Sequence, residues 1–251
     1  KDKAIKAERA IDTEIVKANC LYSCPTVPPR NATGIKTEAK MKKKHPIEAL
    51  IEQGEHQQLD FKFEVSDSKK IARTLSAFAN TDGGRLLIGV KDNGAISGVR
   101  SEEEYYMIEA ASKMYTHPEV PFTAKRWDVN GKTVLEVYIA PSDEKPHTAP
   151  DKDDKYKAYI RVADENILAN EVLMQAWKKQ KTKEGTLLKI SKPVEILFSW
   201  LDEHPYISIK QFCRIAHINY YAARNILSDL MAMGAMEYVV IDKCIAYKRI
   251  A

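Results

Sequence analysis

Three carboxylates raise the first chemical question. Glu55 and Asp60 flank the start of an alternating segment, residues 59–63, and Asp92 follows the end of an apolar one, residues 85–90. If those segments are paired strands, all three side chains could converge. Grouped carboxylates hold Mg²⁺ or Mn²⁺ through oxygen ligands, and such ions assist phosphodiester cleavage. Asp60-Phe61-Lys62 adds an acid and an amine on one face of a strand, an arrangement many metal-dependent nucleases use. The same residues also have plain structural uses. Strands often begin with an alternating charged face, and Asp92 precedes Asn93-Gly94 as a turn former.

A second candidate is the loop Asn80-Thr81-Asp82-Gly83-Gly84. Glycines let backbone amides approach a phosphate closely. The common phosphate loops, however, follow a strand and open a helix, whereas this loop ends a helical pattern. Neither the P-loop lysine pattern nor G-x-G-x-x-G is present. The structural reading is a helix-ending turn packed before a central strand. Basic residues form the third group. Lys62, Arg73, Arg85, Lys125, Arg126, Lys145, His147 and Arg161 are candidates for phosphate contact. Lys145-Pro146-His147 and Tyr159-Ile160-Arg161 place basic and aromatic groups near strand ends. His147 has no second histidine at ligand spacing, so a metal role is not assigned to it.

Local patterns supply the elements that position these residues. Residues 47–53 read as a short helix ended by Gly54, then a strand over 59–63. Ser66-Asp67-Ser68 offers N-caps for a helix whose buried stripe is Ile71, Ala72, Leu75, Phe78 and Ala79. Leu86-Leu87-Ile88-Gly89-Val90 is a continuous apolar run, which predicts a central strand covered on both faces. Asp92-Asn93-Gly94 predicts a hairpin with a return strand over 95–99. A helix over 101–114 begins with a Ser101/Glu104 capping box. Asn130-Gly131 joins strands 122–129 and 132–139. Residues 141–157 read as a polar loop, 158–162 as a last strand and 170–180 as a closing helix.

Residues 192–251 change character. Three helical patterns (193–201, 209–216 and 220–233) precede two short strands (237–241 and 244–248). That order is the pattern of a winged helix-turn-helix. The helix over 220–233 would be the recognition helix. Tyr220, Tyr221, Arg224, Asn225 and Ser228 are expected on its outward face, with Arg224 and Asn225 suited to base edges and phosphates.

The 251-residue chain is 44% hydrophobic and 29% charged, as expected of a soluble globular protein. No apolar run suits a membrane helix. The start, KDKAIKAERA, lacks the apolar core of a signal peptide. Residues 1–44 hold 11 Lys/Arg against 5 Asp/Glu, which leaves 28 against 30 in the remainder. The rest of the chain is therefore near neutral, and any electrostatic footprint must be local. Met41 followed by three lysines resembles a translation start, and residues 1–44 read as a basic arm or linker. Cys20 and Cys24 have no metal-ligand spacing, and Cys213 and Cys244 fall on apolar faces. A reducing cytoplasm fits this usage.

The central stretch resembles the Schlafen-type AlbA-like domain. The resemblance rests on Glu55 with Leu59-Asp60-Phe61-Lys62, on residues 77–84 (AFANTDGG), on residues 87–94 (LIGVKDNG) and Gly98, and on Lys145-Pro146-His147 and Tyr159-Ile160-Arg161-Val162. It implies a DNA-binding role, often as a transcriptional regulator, and bacterial members commonly carry a C-terminal winged helix. An older ATP-binding label for some members would require Walker motifs absent here. Certain animal members cleave RNA with a carboxylate trio, which would fall on Glu55, Asp60 and Asp92. Asp60 stands where Glu is typical, which draws that carboxylate back by one methylene. The animal enzymes clamp RNA with a duplicated domain. One copy is present here, and a homodimer would be the natural substitute.

The reading is thus an α+β protein of bacterial type: an arm over 1–44, an AlbA-like domain over 45–181 and a winged helix-turn-helix over 192–251. It is expected to bind nucleic acid, DNA rather than RNA, as a cytoplasmic homodimeric regulator without catalysis. The contact residues would be Lys62, Arg85, Lys145, His147, Arg161, Tyr220, Tyr221, Arg224 and Asn225. No cofactor is expected. The alternatives are a Mg²⁺- or Mn²⁺-dependent RNA nuclease using Glu55, Asp60 and Asp92, and an ATP- or nucleotide-binding protein using Asn80, Gly83 and Gly84.

Overall fold

The computed structural model describes residues 45–182 and 191–250. The arm over 1–44, with Cys20 and Cys24, and residues 183–190 between the two expected domains lie outside these residues.

Two sheets grip one helix. The first sheet has strand order β1-β2-β4-β3, from Leu59–Lys62, Gly84–Ile88, Lys132–Ile139 and Thr123–Val129. β1 and β2 are parallel, and the other pairs are antiparallel. The parallel pair needs a crossover, and α2 (Ser68–Asn80) supplies it, capped by the Asp67 carboxylate. Asn130 and Gly131, at φ 55° and 75°, make the tight β3–β4 turn. α1 (Pro46–Ile51) precedes this sheet, and α3 (Glu103–Tyr115) follows β2. The second sheet, β5-β6-β7, comprises Thr148–Pro150, Tyr156–Val162 and Glu165–Leu168.

α2 carries more than the apolar stripe expected of it. The stripe packs with Leu86, Ile88, Val137 and Ile139 of the first sheet. The second sheet lies against the same helix, so Thr74, Ser76 and Asn80 are buried as well. Their polar atoms are satisfied across that junction. Ser76 Oγ donates to His147 O at 2.8 Å, and Asn166 Nδ2 donates to Thr74 Oγ1 at 3.0 Å. Asn80 Nδ2 donates to His147 O and Tyr159 O at 2.8 and 2.9 Å, while its Oδ1 accepts from His147 N at 2.8 Å.

Four expectations are corrected. Residues 95–99 form no strand: the turn at 92–94 is followed by irregular chain tied by an isolated Val90–Ile96 bridge. Ser97 N and Gly98 N both donate to the single carbonyl of Gly89, which breaks the alternate pairing a ladder needs. The loop over 141–157 contains β5, and the charged run after 162 contains β7. Cys244 is exposed rather than on an apolar face, whereas Cys213 is half-buried.

The C-terminal part contains α5 (Lys192–Glu203), α6 (Ile209–Ala216), α7 (Tyr220–Ala232) and the hairpin β8–β9 (Met236–Ile241, Cys244–Arg249). Ser208 and Gln211 form a capping box on α6, and Asn219 caps α7. Leu197, Phe212, Leu227 and Tyr247 centre its core. α4 (Glu171–Gln180) is shared. Val172 enters this C-terminal core, while Leu173 and Trp177 pack on Ala158 and Ile160 of β6. Among the described residues no helix is long and apolar enough to cross a membrane.

Candidate nucleic-acid interface

Five elements converge on one basic cleft of about 490 Å³. α2 contributes Lys70, Arg73 and Thr74, which share a helix face by their spacing. β1 contributes Lys62, β6 Tyr159, the β5–β6 turn Asp151 and Lys152, and β7 Asn166 and Leu168. Arg73 is fixed by donating from Nε to Pro150 O at 2.7 Å. Asp151 is spent on its own turn, accepting from Asp153 N and Lys155 N. These bonds, Lys155's first, hold its carboxyl below the usual range. Lys70 and Lys152 are exposed and form no ion pair among the described residues.

Behind the cleft wall runs a buried polar chain. Arg161, 2% exposed, donates from Nη1 to Asn166 Oδ1 at 3.1 Å and from Nη2 to Asp60 Oδ1 at 3.0 Å. Lys62 Nζ lies 2.8 Å from Asp60 Oδ2. That oxygen makes no well-directed hydrogen bond, so the contact is a charge pairing. Glu55 reaches the same corner and accepts from Phe61 N at 2.8 Å. Burial pushes its carboxyl above the ordinary range, and nearby Asp60 adds to the effect against the opposing Phe61 amide. Arg161 thus acts here as the counter-charge of Asp60, set back from the surface.

The carboxylate trio does not assemble. Glu55 and Asp60 meet, but Asp92 sits exposed in the turn beyond β2. Among the described residues no three His, Cys, Asp or Glu side chains are grouped to hold a metal ion. Asp60 is instead claimed by Arg161 and Lys62.

The Asn80–Gly84 loop is filled by protein. A Cβ on Gly83, at φ 69°, would stand 2.6 Å from Ile139 O, and one on Gly84 would stand 2.5 Å from the Phe78 ring. The room these glycines make is taken by the chain itself. Gln57 Nε2 donates to Asp82 Oδ2 and to Arg161 O, Lys145 Nζ donates to Thr81 O, and Arg161 N donates to Thr81 Oγ1. Tyr238 of β8 also reaches Thr81. Burial is the largest cause raising its hydroxyl pKa to about 12.

His147 is buried against this loop rather than in the cleft. Pro118 O can only accept, so Nδ1 donates to it at 2.9 Å, and Nε2 accepts from Ser142 Oγ at 2.7 Å. Burial holds the ring's pKa below its ordinary 6.5, against the opposing bond to Pro118. Stability from the neutral ring is therefore fully present above about 6.5 and lost as pH falls toward the lower folded value. Urea midpoints of wild type and His147→Gln should converge between neutral and mildly acidic pH. Parallel curves would show that this ring is not the group being protonated.

The remaining candidates are dispersed. Arg85 lies on the opposite face of the first sheet, paired with Glu136 at 2.9 Å. Tyr220 and Tyr221 are exposed at the start of α7, as expected. Arg224 and Ser228 are turned in against α4, because that helix packs along α7, while Asn225 is exposed, as expected, and bonds to α4 from the rim. Arg224 Nη1 donates to Glu171 at 3.0 Å and Gln175 Nε2 to Asn225 Oδ1 at 2.8 Å. Lys179 Nζ donates to Ser228 Oγ and Asp229. Sequence reasoning missed Lys70, Lys152 and Asn166. The Lys70–Arg73–Thr74 spacing opposite the apolar stripe was an available signal for the first. Nothing local announces that the β5–β6 turn and β7 fold back over α2.

Residues 55–170 match the family model described as Schlafen, AlbA_2. Among solved structures, the DIP2311 protein from Corynebacterium diphtheriae is similar at 21% identity and TM-score 0.40, covering 58% of this chain. The chain spans 32% of that protein's length. The N-terminal domain of a DNA helicase RecG-related protein from Nitrosomonas europaea is similar at 21% identity and TM-score 0.33. That match covers 51% of this chain and 97% of the domain. No curated protein matches this chain.

Proposed function

We propose that this chain is a nucleic-acid-binding protein that holds a sugar-phosphate backbone in the cleft between α2, β1 and the second sheet. One observation carries the reading. Lys62, Lys70, Arg73 and Lys152 face a single carboxylate, Asp151, across one cleft, and two of the four cations have no partner among the described residues. On a chain that is near neutral from residue 45 onward, such a concentration is a local anion site. The match of residues 55–170 to the Schlafen, AlbA_2 model supports the same class. The finer role is a DNA-binding transcriptional regulator, acting in the cytoplasm as a homodimer. The helix–helix–helix–hairpin order of residues 192–250, read as a winged helix, and exposed Tyr220 and Tyr221 favour it.

The test is charge reversal at exposed positions. Lys70→Glu with Lys152→Glu should weaken duplex DNA binding across all sequences. It should also flatten the salt dependence by about one logarithmic unit per lost phosphate contact. Fluorescence anisotropy over a salt series measures both. Unchanged affinity in the double variant, or no binding by wild type at low salt, would remove the proposal.

A further inference from the structure

The cleft engages one face of the first sheet's β1 edge. The other face of that sheet is half uncovered. α1 and its neighbours cover the end carrying Phe61, Leu87, Val134 and Val129 through Ile47, Leu50 and Ile51. The cross-strand row Arg85–Tyr138–Thr123 and the neighbouring pair Glu136–Lys125 remain beside a groove of about 440 Å³.

This face is built and charged. Tyr138 is 41% exposed, and the Arg85 guanidinium sits over its ring at 5.4 Å. Glu136 acts as a bracket, taking Arg85 Nε on one oxygen at 2.9 Å and Trp127 Nε1 on the other at 2.7 Å. The Glu136 charge is thereby spent on Arg85. Lys125, held over the Trp127 ring at 3.5 Å, is the cation left without a carboxylate partner among the described residues. A ring and a guanidinium presented together, beside an unneutralised amine, suit a stacked base and its phosphate. A duplex hides the faces of its bases, so this surface selects unpaired nucleotides.

We propose that the open sheet face around Tyr138, Arg85 and Lys125 is a binding site for single-stranded nucleic acid. It is separate from the backbone cleft, and its contact is base stacking on Tyr138 with phosphate held by Lys125.

The experiment uses the full chain and a fluorescent oligothymidylate. Tyr138→Ala should weaken single-strand binding on the order of tenfold. Tyr138→Phe, which keeps the ring, should bind as wild type. Lys125→Ala should weaken binding and flatten its salt dependence, with duplex affinity unchanged in all three. In the Lys70→Glu/Lys152→Glu background, Tyr138→Ala should cause the same fold-loss, which separates this site from the cleft. Sedimentation of the same variants reads a second occupant. If Tyr138→Ala alters the oligomeric state while single-strand affinity stays at the wild-type value, the face is a protein interface and the proposal is overturned. Equal losses in Tyr138→Ala and Tyr138→Phe, or no single-strand binding by wild type, overturn it too.

Discussion

Arg161→Ala should lower the unfolding free energy by about 3–5 kcal/mol, the cost of leaving a buried charge without its partner. The guanidinium is 2% exposed and Asp60 3%. Its loss removes the 3.0 Å bond to Asp60, the bond to Asn166 and the cation above the Phe78 ring at 5.2 Å. Asp60 would keep only Lys62, whose own side chain is 38% exposed and more strongly screened. Removing both charges should be far milder. Asp60→Leu/Arg161→Met should recover much of the loss, since an apolar pair of similar volume avoids two desolvation penalties. Urea denaturation of the single and double variants reads this directly. A single-variant loss under about 1 kcal/mol would mean that water reaches the pair. The result also bears on function. A buried Arg161 weakens nucleic-acid binding by loosening the cleft wall, so its variant should lose affinity and stability together. Lys70→Glu should lose affinity alone.

What the sequence made legible depended on how local each signal was. The Asn130-Gly131 hairpin and the Asp67 cap were read directly and stand in the structure. Their determinants lie within a few residues of one another. β5 and β7 were missed because each is short, and β7 starts at the charged Glu165. Only pairing with β6 makes them strands. The convergence of Asp92 failed for a related reason. The chain after β2 stays bonded to the end of β1 through Gly89 N and Lys62 O, but Asp92 lies further on, exposed in the next turn and away from the Glu55–Asp60 corner. Arg224 and Ser228 look outward on a helical wheel, yet α4 lies along that side. A wheel shows which residues share a face but not which neighbour will cover it. The cleft was half legible. Lys62 and Arg73 were named as candidates, but gathering them with Lys152 and Asn166 takes a second sheet that no periodicity announces.

The second large effect is expected at Asn80, where fold and site meet. Asn80→Ala should cost about 2–5 kcal/mol, since it orphans His147 N and Tyr159 O, each worth about 1–3 kcal/mol when buried without a partner. His147 O would retain Ser76 Oγ, which limits the loss. Asn80→Asp is the sharper probe because it keeps the shape. Its Oδ1 could still accept from His147 N, but an oxygen would replace the amide that donates to two carbonyls. Buried like charges without a donor between them should make Asp worse than Ala, and the gap should narrow at acidic pH as the carboxyl protonates. An Asp variant as stable as wild type would mean that the side chain does not clamp the second sheet to α2. The functional consequence follows from the same bonds. β5 and β6 carry Pro150, which fixes Arg73, and Tyr159, which lines the cleft. Amide exchange in Asn80→Ala should therefore quicken first across residues 147–162 while residues 123–139 stay protected. Nucleic-acid affinity should fall with the first group, since losing the second sheet opens the cleft before the first sheet unfolds.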